Sequence, residues 1–591
     1  MVENRVSVVM SQKRGSEAVI DYLEQASIDQ IFFGPIGHTN FELWHALEET
    51  DSPIRPIEAR NEFVAGYMAA GYAKASGEPA VLSAHTTPGL GNMVAPMASA
   101  YVNATPVVNI SSTPPAKWWG RSPHHEIPPY SETHEIYAPI TKAKWKVNDP
   151  GRVFEVLSNA FSQAVTGKPG PTLVALAADL LGEYDEYGEI PAYSTHVPQT
   201  RSIAEPDAVA DALEALVDAE KPVILAGGGA KISRAQDSIA NVAERLSIPV
   251  ATTDSGKGVF PETHELSVGV VGAAGSRVAN RIVADADLVF AIGTRFKELT
   301  TAAWNDKEIF SFPPQRLIQL DINGAEIGKY YPVAVALVGD ADGTLCALAS
   351  ILDERDLSRS TCPQRARIDD LKSDWQAEFH ALVDHDNAQV QVVDIVSSLQ
   401  DILGPDAILT GGSGRNKSVP AQLYNVHNPE SLLLDTGVGT MGASPGYAIG
   451  AQIAHPDRDV VCIEGDGGMH LSASAFATAR EYDLPITFVI FNDSAYTGIA
   501  SLQKAYVGES MGTEFDIDSK RYDVDFSKMA EAYGVSSTQV TESEKLHSAL
   551  ETAIAHDGPY VVDVILPRES PSPNPGVDWG LPGRGSGTWE R

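Results

Sequence analysis

At 591 residues the chain is too long for one hydrophobic core, and its length suggests roughly three or four domains of ordinary size. Its 43% hydrophobic content is that of a globular protein, and no run stays apolar for the length of a membrane span, which argues against a membrane-embedded protein. The net charge of −35 disfavours a nucleic-acid partner, because a polyanion would be repelled.

The acidic residues are spread along the chain and not gathered in one tail. Two readings fit: a soluble acidic enzyme, or adaptation to high salt, where dense carboxylates keep a surface hydrated and salt screens their repulsion. Thermal stability that rises with molar salt is expected for the second reading, and a flat or falling melting temperature would exclude it. The start, "MVENRVSVVMSQKRGSEAVI", has no cleavable signal pattern. Cys346, Cys362 and Cys462 lie far apart without metal-ligand spacing, and read as buried thiols in a reducing cytoplasm.

Strand-like apolar runs alternate with helical patterns. In chain order they are "IFFG", "AVLSAH", "PVVNISS" and "PTLVAL", then "PVILAGGG", "PVATT", "LVFAIG" and "RLIQLDI", then "AILTGG", "VVCIEGDG", "ITFVIFND" and "YVVDVIL". Runs apolar on both faces suit parallel strands covered by helices, so the fold class is α/β, with doubly wound parallel sheets. Two linkers, the polar 181–207 and the charged 353–370, divide the chain into domains at 10–185, 205–350 and 370–570. The segment 571–591, rich in Gly, Pro and Ser, reads as an irregular tail whose Trp579 and Trp589 are available to dock on a surface.

In open α/β sheets ligands bind beyond the carboxyl ends of the strands. Two apolar strands end there in carboxylates, Asp466 in "GDGG" and Asp493 in "FND", 27 residues apart (493 − 466). Gly465, Gly467 and Gly468 let backbone approach a ligand, and amides at a helix start suit phosphate oxygens. A carboxylate beside a phosphate needs a cation between them. A hard divalent ion such as Mg2+ meets that need, held by Asp466, Asp493 and the carbonyl of Ala495.

The stretch "GDGG…LPITFVIFND" resembles the thiamine diphosphate fingerprint. "GVGTMGASPGYAIGAQIAHPDRDVV", "GKPGPTLVALAADLL", "KPVILAGGGA", "SGKGVFPETHELSVGVVG" and "LIQLDINGAEIGKYYPVAVALVGDA" extend the resemblance over nearly the whole chain. It is to the thiamine diphosphate superfamily of acetolactate synthase, benzoylformate decarboxylase, pyruvate decarboxylase, benzaldehyde lyase and oxalyl-CoA decarboxylase. The resemblance implies a pyrimidine-binding first domain, a middle domain and a diphosphate-binding third domain. It implies thiamine diphosphate and Mg2+ as cofactors. Active sites would form between subunits of a homodimer or homotetramer.

Through the resemblance, "IEARNEFVAGYMAAGYAKASG" puts the cofactor-activating acid on Glu62. A carboxylic acid against the aminopyrimidine favours the tautomer that takes the thiazolium C2 proton. "GTMG" puts the apolar side chain under the bent cofactor on Met441, beside Gly439. "TGGSGRNK" departs from the acidic-glycine pattern frequent there, but Gly412, Ser413 and Gly414 retain amides and a hydroxyl for diphosphate. Tyr496 completes the cofactor set. Asp493 stands where Asn is frequent, and the acidic residue common in the helix after GDG is absent near Ala475.

The reaction rests on histidine. "SAHTTPGLGN" puts His85 in the loop where benzoylformate decarboxylase carries one. "SPHHEI" puts His124 and His125 in a pair similar to the double histidine of pyruvate decarboxylases. "FGPIGHTN" adds His38. Histidine suits proton transfer near neutral pH. The glutamine of acetolactate synthase and benzaldehyde lyase is missing near Pro128 and Pro129, and the late glutamate of pyruvate decarboxylases is missing near Ile499. Trp118, Trp119 and Tyr130 line a pocket or simply pack.

The leading expectation is a 2-oxo-acid decarboxylase or carboligase similar to benzoylformate decarboxylase. The alternatives are an acetolactate synthase-like enzyme, with FAD in the middle domain through "GGGA" and "GTRF", and a non-catalytic thiamine diphosphate-binding relic.

Overall fold

The computed structural model describes residues 11–128, 132–197, 200–383 and 388–577. Pro129, Tyr130, Trp579 and Trp589 lie outside the described residues.

Three six-stranded sheets are present, each parallel throughout. The first runs, edge to edge, Arg55–Glu58, Gln30–Phe33, Ala80–Ser83, Val107–Thr113, Thr172–Ala177, Ala143–Val147. The middle sheet runs Ser267–Val270, Val250–Thr252, Pro222–Ala226, Leu288–Ile292, Arg316–Asp321, Val335–Val338. The third runs Leu432–Leu434, Ile408–Gly411, Val460–Gly465, Ile486–Asn492, Tyr560–Ile565, Ser536–Val540. Counting strands within each sheet, the first and third share the order 2-1-3-4-6-5, whereas the middle sheet has the dinucleotide-binding order 3-2-1-4-5-6.

Side chains of successive strand residues leave opposite faces, so each inner strand feeds two cores. Ile31 and Phe33 pack on one side of the first sheet and Phe32 on the other. Val223 and Leu225 alternate with Ile224 and Ala226 in the middle sheet. Val461 and Ile463 alternate with Val460 and Cys462 in the third. Helices covering both faces make these strands continuous apolar runs.

One core is shared between the first and third sheets. Its centre is the contact between helices Glu62–Ser76 and Ala443–Ala454. Here glycines permit close approach. A Cβ on Gly71 would fall 2.5 Å from the Tyr447 backbone, and one on Gly450 would fall 2.1 Å from the Met68 carbonyl oxygen. In an exposed helix Gly→Ala gains about 1 kcal/mol. Gly450→Ala is instead expected to cost about 3 kcal/mol, because added volume must push two backbones apart. A melting temperature equal to or above that of the parent would refute this packing role.

Two details differ from the sequence expectations. The polar stretch after residue 181 is partly ordered, since Tyr184–Tyr187 pairs antiparallel with Ser11–Arg14. The adjacent acids Asp185 and Glu186 and three exposed positions hid this strand, yet Tyr187 is buried. Only Cys462 is a buried thiol. Cys346 is exposed on the outer face of helix Ala341–Glu354, and Cys362 is half-buried. Of the tail, 571–577 carries no helix or strand, and it returns to the middle domain, where Asn280 Nδ2 donates to the Pro575 carbonyl at 2.9 Å. Among the described residues no helix is long and apolar enough to cross a membrane.

Candidate active site

The candidate residues fall into two groups, each at the carboxyl edge of a sheet. In the first domain Glu62 opens helix Glu62–Ser76, which Asn61 caps by accepting the Phe63 amide at 2.8 Å. The carboxyl is buried, and Asn92 Nδ2 donates to its Oε2 at 2.9 Å. The loop after strand Gln30–Phe33 presses against it: a Cβ on Gly34 would fall 2.3 Å from Glu62 Cγ.

His85 follows strand Ala80–Ser83 and is 7% exposed. Its Nδ1 lies 2.7 Å from Thr39 Oγ1, which lies 2.5 Å from Ser112 Oγ. A Cβ on Gly37 would fall 2.3 Å from the His85 ring, so glycine is needed for the loop to pass. His38, His124 and His125 gather around it. The His85 ring centroid is 4.8 Å from that of His38 and 5.1 Å from that of His125, and His124 and His125 are 3.6 Å apart. His125 has a φ of 65°, an uncommon backbone for a residue with a Cβ. Glu126 anchors this loop by accepting hydrogen bonds from Thr86 and from Thr133, the latter at 3.2 Å.

Burial, and then the neighbouring imidazoles, push His85 down to about 4, and the same causes lower His38. His85 is therefore neutral near pH 7. A neutral imidazole offers one acceptor nitrogen and one N–H donor. Trp118 is exposed, but Trp119 is committed to packing: its Nε1 donates to the Pro114 carbonyl at 2.9 Å, and Lys146 sits 3.9 Å over its ring.

In the third domain Asp466 follows strand Val460–Gly465, and Asp493 follows strand Ile486–Asn492. Adjacent strands in register bring the two acids together. Both are buried, at 3% and 6% exposure. Burial and the Asp493 charge push Asp466 up to about 7, against hydrogen bonds from the amides of Gly467, Ser494 and Ala495. Burial also raises Asp493, opposed by Arg415, whose Nη2 donates to Asp493 Oδ2 at 2.5 Å. Two buried like charges side by side are costly without a cation.

The surroundings fit a phosphate-bearing ligand with a hard cation. A Cβ on Gly465 would meet only Asn416 Oδ1 at 4.0 Å, and one on Gly439 only Ser413 Oγ at 3.9 Å, so open space faces amides and a hydroxyl. Gly412 and Gly468 differ: each would clash with the Glu464 carboxyl, at 2.3 Å, so they clear space for a neighbour. Gly414 takes φ 104° at the start of helix Arg415–Leu423. The Met441 methyl and the Tyr496 ring flank Gly467, at 3.7 and 2.6 Å from where its Cβ would lie.

Several supporting residues carry no sequence signal. Glu464 is fully buried, and burial raises it to about 8. It accepts from Asn416 Nδ2 at 2.9 Å and from the amides of Gly465 and Ser444 at 3.0 and 3.3 Å, tying three loops together. Asp435 accepts from Ser99 and Asn103 of the first domain, at 2.9 and 3.0 Å, and from the Thr440 amide at 2.9 Å. It thus fixes the "GTMG" loop to the first domain. Arg415 is adjacent to the singled-out "GGSG", but only the fold brings it to Asp493.

Family models match in three pieces: "Thiamine pyrophosphate enzyme, N-terminal TPP binding domain" at 13–134, the central domain at 209–348, and the C-terminal TPP binding domain at 412–564. The chain is similar to the probable acetolactate synthase large subunit of Methanocaldococcus jannaschii, with 32% identity over 94% of this chain and 92% of that relative. It is also similar to the acetolactate synthase large subunit of Corynebacterium glutamicum, with 30% identity over 95% of this chain and 88% of the relative. The acetolactate synthase isozyme 1 large subunit of Escherichia coli K12 is 29% identical over 94% of both. Three consecutive domain matches, and a relative similar over nearly its whole length, place the chain in the family of thiamine pyrophosphate-dependent enzymes.

Proposed function

We propose that the protein is an acetolactate synthase-like enzyme, which condenses two 2-oxo acids with loss of one carbon dioxide. The observation that carries the cofactor half is the buried Asp466–Asp493 pair at adjacent strand ends, beside open glycine loops. The condensation half is supported by the acetolactate synthase relatives, which favour it over the benzoylformate decarboxylase-like expectation.

Thiamine diphosphate, when bound, supplies a nucleophilic carbon and an electron sink for decarboxylation. Asp466, Asp493 and the Ala495 carbonyl would hold Mg2+, while Ser413, Gly414 and Gly439, with the turn Gly465–Gly467, would receive the diphosphate, and Gly412 and Gly468 make room for Glu464 behind it. Met441 and Tyr496, which flank Gly467, would bear on the cofactor rings. Glu62, steadied by Asn92, would hold and move a proton at its carboxyl, facing the aminopyrimidine of the bound cofactor. His85 receives and returns protons at the substrate, with His124 and His125 beside it. The enzyme acts as a homodimer or a larger homo-oligomer, each site built from the first domain of one subunit and the third of another. Exposed apolar side chains at both edges support this: Ile36, Trp118 and Ile127 near the histidines, and Val438, Leu471 and Ile499 near the carboxylates.

Carbon dioxide and products would be measured from pyruvate, branched 2-oxo acids, indolepyruvate and benzoylformate, with Mg2+ and thiamine diphosphate. One carbon dioxide for every two acids, with a 2-hydroxy-3-oxo acid product, is expected. One carbon dioxide per acid with an aldehyde product would overturn the condensation. His85→Ala is expected to lose about 10²- to 10⁴-fold in turnover with cofactor titration unchanged. Weakened cofactor binding with normal turnover would make His85 structural.

A second reading concerns the middle domain. A cavity of about 410 Å³ opens beyond the carboxyl ends of its strands, lined by Gly228, Gly229, Gly293 and Asp321. Burial pushes two lining lysines down, Lys231 to about 7 and Lys74 to about 8. A phosphate-bearing ligand would offset that burial and favour their charged forms. This supports a dinucleotide such as FAD, tested by the visible spectrum of the supernatant after acid precipitation. A flavin-free spectrum after reconstitution with FAD would exclude it.

A further inference from the structure

The histidine cluster offers more than proton transfer. His38, His85 and His125 bring one ring nitrogen each within 4.8 Å of the others. They come from three separate segments: the loop after Gln30–Phe33, the loop after Ala80–Ser83, and the turn at 124–125. We propose that His38, His85 and His125 form a second metal site, distinct from the Asp466–Asp493 pair, for a late first-row divalent cation of the Zn2+ kind.

The chemistry separates the two sites. Imidazole nitrogens suit Zn2+, Co2+ and Ni2+, whereas Mg2+ prefers the oxygens of the third domain. A ligand imidazole must present a neutral ring nitrogen with a lone pair, and each of the three histidines brings one ring nitrogen to the cluster. Metal-bound histidine ordinarily gives its other ring N–H to an acceptor. His85 has that partner: Nδ1 lies 2.7 Å from Thr39 Oγ1, itself 2.5 Å from Ser112 Oγ, and in the tautomer that carries Nδ1–H this chain takes the proton and leaves the Nε2 lone pair for the metal. Zn–N bonds of about 2.0–2.1 Å in a tetrahedron set the nitrogens roughly 3.3 Å apart, so the His38 and His125 rings, less buried than that of His85, must turn inward from their present spacing of up to 4.8 Å. Three ligands leave a fourth position for water or for His124, whose ring is next to that of His125. Resting on the functional reading above, occupation of this site withdraws His85 from proton transfer, so the cation acts as a reversible brake on turnover.

Binding is tested on the full-length protein without Mg2+ or thiamine diphosphate, with Co2+ as spectroscopic probe and Zn2+ as competitor. The expected result is one Co2+ per chain with the visible absorption of a tetrahedral nitrogen site, counted apart from any weakly absorbing Co2+ on the Asp466–Asp493 carboxylates. His38→Ala and His125→Ala should each weaken it about tenfold or more, and Thr39→Val, which keeps every ligand, about ten- to a hundred-fold. No saturable site on the parent protein overturns the proposal without recourse to any variant. So does tetrahedral Co2+ absorption that survives His38→Ala and His125→Ala. In turnover assays with excess Mg2+, Zn2+ inhibition should shift to higher concentration in His38→Ala, and unshifted inhibition overturns the brake. If no 2-oxo acid is consumed at all, the functional reading fails while the binding result still decides the metal site.

Discussion

Replacing Glu62 by Gln is expected to lower turnover about 10²- to 10⁴-fold, or roughly 3–5.5 kcal/mol of barrier, with little change in cofactor affinity. Gln keeps the size of the side chain and can still accept from Asn92 Nδ2, so the Gly34 loop and the buried position persist. Only the exchangeable proton is lost. The direct readout is hydrogen–deuterium exchange at C2 of bound thiamine diphosphate, which should slow together with turnover. Near-normal exchange in Glu62→Gln would remove Glu62 from the activating role and leave it as the first residue of a helix.

The second large effect is expected at Asp466. Asp466→Ala should abolish the Mg2+ dependence of cofactor binding and weaken binding by at least about a hundredfold, since a metal ligand is lost and not merely its support. Asp493 remains, but Arg415 already compensates it. An unchanged thiamine diphosphate titration, with and without Mg2+, would refute the assignment. The pair also sets a pH dependence. Burial and the Asp493 charge raise Asp466 from 3.8 to about 7 in the folded, metal-free protein. The folded state then binds a proton that the unfolded chain has released, so metal-free stability falls as pH rises from about 4 through about 7. Mg2+ must displace that proton below about pH 7 and need not above it. The rise in melting temperature on adding Mg2+ should therefore be larger at about pH 8 than at about pH 6. An equal rise at both would mean that Asp466 is already ionised.

The apolar runs legible in the sequence are the inner strands of the three sheets, and each sheet has four of them. The edge strands, such as Arg55–Glu58, Ala143–Val147 and Val335–Val338, gave no such signal. An inner strand is covered on both faces and must be apolar throughout. An edge strand is half solvated or very short, and its composition resembles a loop. The candidate site divides in a similar way. Asp466, Asp493 and Glu62 stand in local motifs where a strand end, a glycine turn and a helix start are contiguous. The neutrality of His85 is a different matter, since it depends on burial and then on His38 and His125, which are 47 and 40 residues away along the chain.

The sequence by itself determined the α/β class, the strand ends that carry carboxylates and the kinship to thiamine diphosphate enzymes, because each is written in short-range pattern. Tertiary structure decided which groups meet. It put Arg415 on Asp493, Glu464 between three glycine loops, Asp435 across two domains, and three histidines around one point. Those contacts arise where parallel crossovers return distant loops to one sheet edge, and no local spacing encodes such a return.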